Sequence, residues 1–258
     1  MARALDPAVD LVPRPSVGRA VIRSRRVRLG DVTPRGRLRL DALARYLQDI
    51  AADDADESAP GDDRTWVVRR TLVRMGSPPV FGESVELTTW CSGYGSRWAE
   101  RRTSIAGPGG GAVEAVSLWV HVDTASGRPA RLDGRFHAVW GPSAGGRRVG
   151  AGLRLPDPPV APEPPGPTPW ALRVTDFDVL GHVNNAAYWE AVEERLAGRR
   201  LGGRLLAEIE YRDGIVRGEP VTLRLQDREH GGFDLWFGVE GAIRAVARVL
   251  PAEPSVRP

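Results

Sequence analysis

The apolar positions of this chain follow two rhythms, and the two recur in the same order twice. Residues 17–29 alternate in character and predict a strand. Leu40, Leu43, Leu47 and Ile50 then stand at i, i+3, i+7 and i+10, one stripe along a helix, with Ala44 and Ala51 beside it. Strand-like segments follow at 66–75, 84–91, 98–105 and 112–123. The last two are separated by the hairpin signal Gly107-Pro108-Gly109-Gly110-Gly111. From residue 170 the order repeats: a short strand at 170–174, a helix over 183–197, then strands at 207–211, 220–226, 233–239 and 242–249.

Between the two runs, residues 141–169 show no period and are crowded with Pro, which predicts an extended, semi-rigid linker. Short phrases also echo. Gly82-Glu83-Ser84-Val85-Glu86-Leu87 and Gly218-Glu219-Pro220-Val221-Thr222-Leu223 both read Gly-Glu-x-Val-x-Leu and open a strand. Gly30-Asp31-Val32-Thr33-Pro34-Arg35-Gly36 resembles Phe177-Asp178-Val179-Leu180-Gly181-His182, which sets Asp31 opposite Asp178. A duplicated strand–helix–multistrand unit accounts for this, because neither half alone covers its helix and sheet well. The expected fold is α+β, with an antiparallel sheet wrapped around a long central helix in each unit. The expected bounds are a disordered stretch at 1–15, an N-terminal unit at 16–140, the linker at 141–169, a C-terminal unit at 170–251 and a tail at 252–258.

Composition removes several function classes. All 36 basic residues are Arg, and the net charge is only +3, so the basic surface is expected to be solvated rather than a nucleic-acid stripe. Cys91 is alone, which rules out an internal disulfide and leaves a small buried residue as its expected role. His and Cys lack ligand spacing, so no metal is expected. The acids at Asp53, Asp54, Asp56 and Glu57 read as a solvated loop leading to the turn at Pro60-Gly61. No apolar run reaches the ~20 residues a membrane span needs, and residues 1–15 lack a signal-peptide core, which makes a cytoplasmic protein the default. There is no Gly-x-Ser-x-Gly elbow and no P-loop.

What remains is concentrated. Both asparagines of the chain, Asn184 and Asn185, lie two and three residues after His182, at the start of the second helical pattern. A helix start carries unpaired N–H groups and partial positive charge, which suits a developing oxyanion. Asp178 can act as a general base or a nucleophile, or simply cap the helix. His182 can bond Asp178 or a water. Glu193 follows His182 by eleven residues, which at 100° each returns it to within about 20° of the same helix face. It can orient a water or His182, or stand solvated beside Glu190 and Glu194. Asp176 reads as a turn residue, and Tyr188 and Trp189 as packing against the sheet.

The run Asp176-Phe177-Asp178-Val179-Leu180-Gly181-His182-Val183-Asn184-Asn185-Ala186-Ala187-Tyr188 resembles the hotdog thioesterase signature Asp-x-Asp-x-x-Gly-His-Val-Asn-Asn-x-x-Tyr. The two-unit layout is most similar to the acyl-ACP thioesterase family, with Leu47-Gln48, Trp66-Val67-Val68-Arg69-Arg70 and Ser117-Leu118-Trp119-Val120-His121-Val122-Asp123 resembling its first unit. The resemblance implies two tandem hotdog domains and hydrolysis of a fatty acyl thioester, with acyl carrier protein or coenzyme A as the carrier. It implies no cofactor. Asp178, His182, Asn184 and Glu193 are the candidate catalytic residues, and Gly181, Val183 and Asn185 the candidate substrate-binding ones. Helix-start N–H groups around Gly181 to Val183 would hold the carbonyl oxygen, with Gly181 admitting the thioester close to the backbone. The sequence departs from the family at Leu180, where an Asn is usual, and after Glu210-Tyr211-Arg212, where Asp213-Gly214 replaces a Glu. These departures bring the site closer to acyl-CoA and 4-hydroxybenzoyl-CoA thioesterases, and a non-catalytic acyl-binding protein is a further alternative. A hotdog hydratase fits less well, because its usual active-site pattern does not surround His182. One active half is expected, with the N-terminal unit shaping the acyl pocket. Exposed sheet edges leave a homodimer open.

Overall fold

The computed structural model describes residues 11–58, 64–159, 166–199, 201 and 204–252. The expected disorder of residues 1–10, the Pro60-Gly61 turn, the middle of the Pro-rich segment and the tail beyond 252 lie outside the described residues.

Each half forms five strands. The first contributes β1 (Ala20–Arg26), β2 (Arg64–Ser77), β3 (Ser84–Tyr94), β4 (Trp98–Ala106) and β5 (Ala112–Asp123). The second contributes β6 (Thr168–Pro169), β7 (Leu205–Tyr211), β8 (Val221–Asp227), β9 (Phe233–Val239) and β10 (Ala242–Pro251). All ten make one antiparallel sheet in the order β1-β3-β4-β5-β2-β7-β10-β9-β8-β6. The halves join where β2 pairs with β7, from Arg70 opposite Glu210 to Met75 opposite Leu205. Each half runs through its strands in the same order outward from that seam, so the seam is a pseudo-twofold axis.

Two long helices lie side by side on one face: α1 (Leu40–Ser58) and α4 (Asn185–Leu196). The predicted stripe Leu40, Leu43, Leu47 and Ile50 is buried throughout, as are Tyr188 and Trp189 of α4. They share one apolar core with strands of both halves, so the tandem α+β hotdog arrangement is observed as expected. Two short helices, α2 (Gly134–Val139) and α3 (Gly141–Ala144), follow β5 and bring Phe136 and Trp140 over the first half. They went unpredicted, although Asp133 is a recognisable N-cap whose side chain accepts the Phe136 N–H.

Four expectations change. The strand expected at 170–174 is absent. Only Thr168–Pro169 forms a strand against β8, extended by one bond from the Trp170 N–H to the Val221 carbonyl at 2.8 Å, and Val174–Asp176 turns instead as a 3-10 segment. The segment from 141, expected as an extended, semi-rigid linker, is in part packed onto the sheet. Leu155 is buried with Trp236 and Val246 on the sheet's other face, Glu210 accepts the Leu155 N–H at 3.0 Å, and Trp236 Nε1 donates to the Pro156 carbonyl at 2.9 Å. Residues 11 and 12 are anchored too: Leu11 packs on Leu72, Val116 and Leu206, and Arg102 Nε donates to the Val12 carbonyl. The acidic cluster is helical rather than a loop. It falls in the last turns of α1, where Asp54 is only 2% exposed.

Candidate active site

The signature run folds as a tight turn followed by a capped helix. Gly181 N–H donates to the Asp178 carbonyl at 3.0 Å, and Asp178 N–H to the His182 carbonyl at 2.9 Å. Phe177 bridges Val183 behind the turn. Asp178 and His182 are therefore the two ends of one five-residue turn. Gly181 has φ +78°, the left-handed region, and a Cβ there would meet nothing within 4 Å. The turn's backbone by itself requires a residue free to adopt that conformation, and the space beside it is open.

The first half builds the same turn at Val32 to Leu38. Thr33 N–H donates to the Arg37 carbonyl, Gly36 N–H to the Thr33 carbonyl, and Gly36 has φ +79°. The register is now explicit: Thr33 matches Asp178, and Arg37 matches His182. Asp31 matches Asp176, not Asp178. Each ends a 3-10 segment and accepts the backbone N–H three residues back, from Arg28 at 2.9 Å and from Arg173 at 2.6 Å. Asp176 is thus the structural acid of the pair, buried and also gripped by the Arg173 guanidinium. Asp178 has no acidic counterpart.

Asp178 is half-buried, and its Oδ1 accepts the Leu180 N–H at 2.9 Å. It does not cap the helix. That job falls to Asn184, whose Oδ1 accepts the Ala186 N–H at 2.9 Å and the Gln48 Nε2 of α1 at 3.3 Å. The His182 ring is exposed and lies across Gly214, where a Cβ would stand 2.6 Å from its Cδ2. Asp213, beside that glycine, is turned away into an ion pair with Arg244. Gly214→Ala must displace the His182 ring. Turnover is expected to fall about tenfold to 100-fold, as misplacement of a reacting group by ~1 Å does, while the melting temperature stays near the parent value. Steady-state kinetics and a thermal melt check this.

Of the donors expected at Gly181 to Val183, two are consumed, the Gly181 N–H in the turn and the Val183 N–H by the Ile215 carbonyl at 2.9 Å, while the His182 N–H meets no partner among the described residues. A second open donor stands further on. At the first turn of α4 the Ala186 N–H is capped and the Ala187 N–H bonds the Asn184 carbonyl, but the Asn185 N–H meets no partner among the described residues. Glu193 is not beside His182. It reaches the other helix, where its Oε2 accepts the Leu40 N–H at 3.0 Å and its carboxylate pairs with Arg37.

Two cavities lie between the helices and the sheet. A small one of ≈20 Å³ is walled by Asn185, Trp189 and Tyr211 of the second half and by Gln48, Thr71 and Trp119 of the first. A larger one of ≈310 Å³ lies wholly in the first half, behind Gln48, Ala51, Ala52 and Ala55 of α1, with Trp66, Trp119, Phe136 and Trp140 as its aromatic walls. Gln48 and Trp119 wall both. Asp178 lines neither; it sits in the turn leading into the helix whose Asn185 does. Cys91, at the larger cavity, is buried among apolar groups, and burial pushes its thiol up to about 11, which leaves it an unreactive wall. No cluster of His, Cys, Asp and Glu fit to hold a metal occurs among the described residues, and none of their helices is long and apolar enough to cross a membrane.

The fold is two hotdog units sharing one sheet, and the family matches make the protein a thioester hydrolase. The family model for the acyl-ACP thioesterase N-terminal domain matches residues 20–139, and that for the C-terminal domain matches residues 166–239. The chain belongs to the acyl-ACP thioesterase family. An uncharacterised protein of Mycobacterium tuberculosis is 31% identical over 226 residues, 87% of this chain and 89% of that one. The fold is shared with an acyl-ACP thioesterase from Bacteroides thetaiotaomicron (TM-score 0.70, 19% identity, 90% of this chain and 97% of that one). It is shared equally with a 12:0-ACP thioesterase from Umbellularia californica (TM-score 0.69, 19% identity, 90% and 98%).

Proposed function

We propose that the protein hydrolyses fatty acyl-ACP in the cytoplasm, releasing a free fatty acid and the carrier thiol, with chemistry at the head of α4 and the acyl chain in the first half. The observation that carries this reading is the ≈310 Å³ aromatic-walled cavity, which shares Gln48 and Trp119 with the small cavity beside Asn185. Its size falls at the lower end of the roughly 300–1,000 Å³ usual for small-molecule sites. Alanines on that face of α1 leave the space that larger residues would fill. Both family matches, and the carrier named for the related structures, support ACP as the carrier.

In this reading Asp178 takes a proton from water as the water oxygen adds to the thioester carbonyl carbon. Charge gathers on the carbonyl oxygen, where a helix-start N–H and its dipole favour it. The C–S bond then breaks, and the proton passes to the departing thiolate. His182, across the turn from Asp178, is placed to order the water. Leu180, where the family usually has Asn, is 60% exposed and carries no polar group, so it adds nothing to this step.

The test is hydrolysis of one acyl chain presented on ACP and on coenzyme A. The expected result is a kcat/KM at least tenfold higher for the ACP form. Equal or higher values for acyl-CoA overturn the choice of carrier. Absence of hydrolysis with either, across short, medium and long chains, overturns the reading as a whole.

A further inference from the structure

Gln48 belongs to the half without the His-Val-Asn-Asn run, yet it meets the start of the second helix. Resting on the reading above, we propose that Gln48 is a positioning residue for the hydrolysis, and that its lack of charge keeps the head of α4 open to the thioester oxygen while Glu193 closes the equivalent place in the first half.

The two positions are counterparts. Gln48 comes eight residues after Leu40, the first residue of α1, and Glu193 eight residues after Asn185, the first residue of α4. Because the helices pack side by side about the pseudo-twofold axis, each reaches the head of the other. At the head of α1 the visitor is a carboxylate. Glu193 accepts the Leu40 N–H at 3.0 Å and pairs with Arg37. An internal anion thus occupies the positive end of that helix, where an oxyanion would otherwise sit.

At the head of α4 both partners differ. Arg37 is replaced by His182, and the two correspond because Arg37 bridges Val80 while His182 bridges Val216. The carboxylate is replaced by the Gln48 carboxamide, which donates at 3.3 Å to Asn184 Oδ1. The Asn185 N–H, the counterpart of the Leu40 N–H, keeps no partner among the described residues. The Gln48 side chain also walls both the small cavity beside Asn185 and the large aromatic one. A neutral amide there can donate to an incoming carbonyl and shift aside. A carboxylate would be drawn onto the free N–H and hold it.

The experiment compares Gln48→Glu and Gln48→Leu in the full chain. Gln48→Leu loses the bond to Asn184 without adding charge, and its kcat is expected to fall a few-fold. Gln48→Glu is expected to lower kcat at least tenfold further with little change in KM, and to melt above Gln48→Leu because the carboxylate now caps α4. Lower activity with higher stability is a combination that a merely structural role for Gln48 does not produce. Parent-like kcat in Gln48→Glu, or a Gln48→Leu variant as impaired as Gln48→Glu, overturns the inference and leaves the thioesterase reading intact. An inactive parent overturns that reading, and the melts still decide the capping: Gln48→Glu melting at or below Gln48→Leu overturns it.

Discussion

Asp178→Asn is expected to cut kcat/KM for the acyl thioester by ~10²–10⁴, the usual contribution of a positioned general base. The substitution is nearly isosteric. Asn keeps an oxygen to accept the Leu180 N–H, which is the one bond the Asp178 side chain makes with described residues. The turn also keeps its two backbone hydrogen bonds and the Gly181 conformation. Neither core packing nor helix capping depends on Asp178, since Asn184 caps α4. The melting temperature is therefore expected to stay within a few degrees of the parent, and binding of a non-hydrolysable acyl analogue to be largely kept. The same change at Asp176, two residues earlier, should do the reverse. That carboxylate is buried under Arg173 and closes the 3-10 turn, so Asp176→Asn lowers stability first. Turnover of Asp178→Asn within a factor of three of the parent would remove Asp178 from the chemistry.

The contrast between these two acids marks where sequence reasoning succeeds. Local rules gave the α1 stripe, the alternation of the strands and the duplication, because each depends on residues a few positions apart. The Gly-Glu echo has a direct cause: Glu83 accepts the Val80 N–H at 3.0 Å and Glu219 the Val216 N–H at 2.8 Å, the same turn-closing contact in each half. Features set by distant partners were not legible. Asp31 was paired with the wrong acid, because phrase similarity alone leaves a two-residue slip open. Only the hydrogen bonds from Arg28 and Arg173 fix the register. Glu193 is not returned to the His182 face by the expected helical period, because α4 begins only at Asn185 and does not reach His182. Its actual partners, Arg37 and the Leu40 N–H, come from the other half, and no single-helix rule names them. The cavity walls Phe136 and Trp140 lie on, and just after, a helix too short to show a period.

Asp54 carries the second large effect, and it ties stability to the acyl cavity. A carboxylate near the C-terminal end of a helix faces an unfavourable dipole. Burial also pushes its pKa up, yet the Arg101 and Arg19 guanidinium groups and the Trp140 indole N–H more than offset both, and the carboxyl ends below its ordinary value. The bonds are 2.6 Å from Arg101, 2.5 Å from Arg19 and 2.9 Å from Trp140. Asp54→Asn leaves Arg101 without its counter-charge and Arg19 with Glu57 alone. Removing one member of a buried pair costs about 3–5 kcal/mol, and partial exposure of Arg19 puts the expected loss near the lower figure. Urea unfolding at pH 7 measures it.

The sign with pH follows from the lowered carboxyl. Its contribution is complete above the unfolded value near ~3.9 and is lost as pH falls through the folded value. The gap between parent and variant should therefore hold from pH 7 to about pH 4 and close below that. Asp234 serves as the comparison. It is equally buried and lowered in the same direction by Arg248 and Arg228 against burial, but it lines neither cavity. Asp234→Asn should destabilise with the same pH signature and leave chain-length preference alone. Asp54→Asn should do both, because Arg101 and Trp140 are walls of the large cavity and lose the group that holds them. Unchanged relative kcat/KM across an acyl-length series in Asp54→Asn would separate that cavity from the substrate chain.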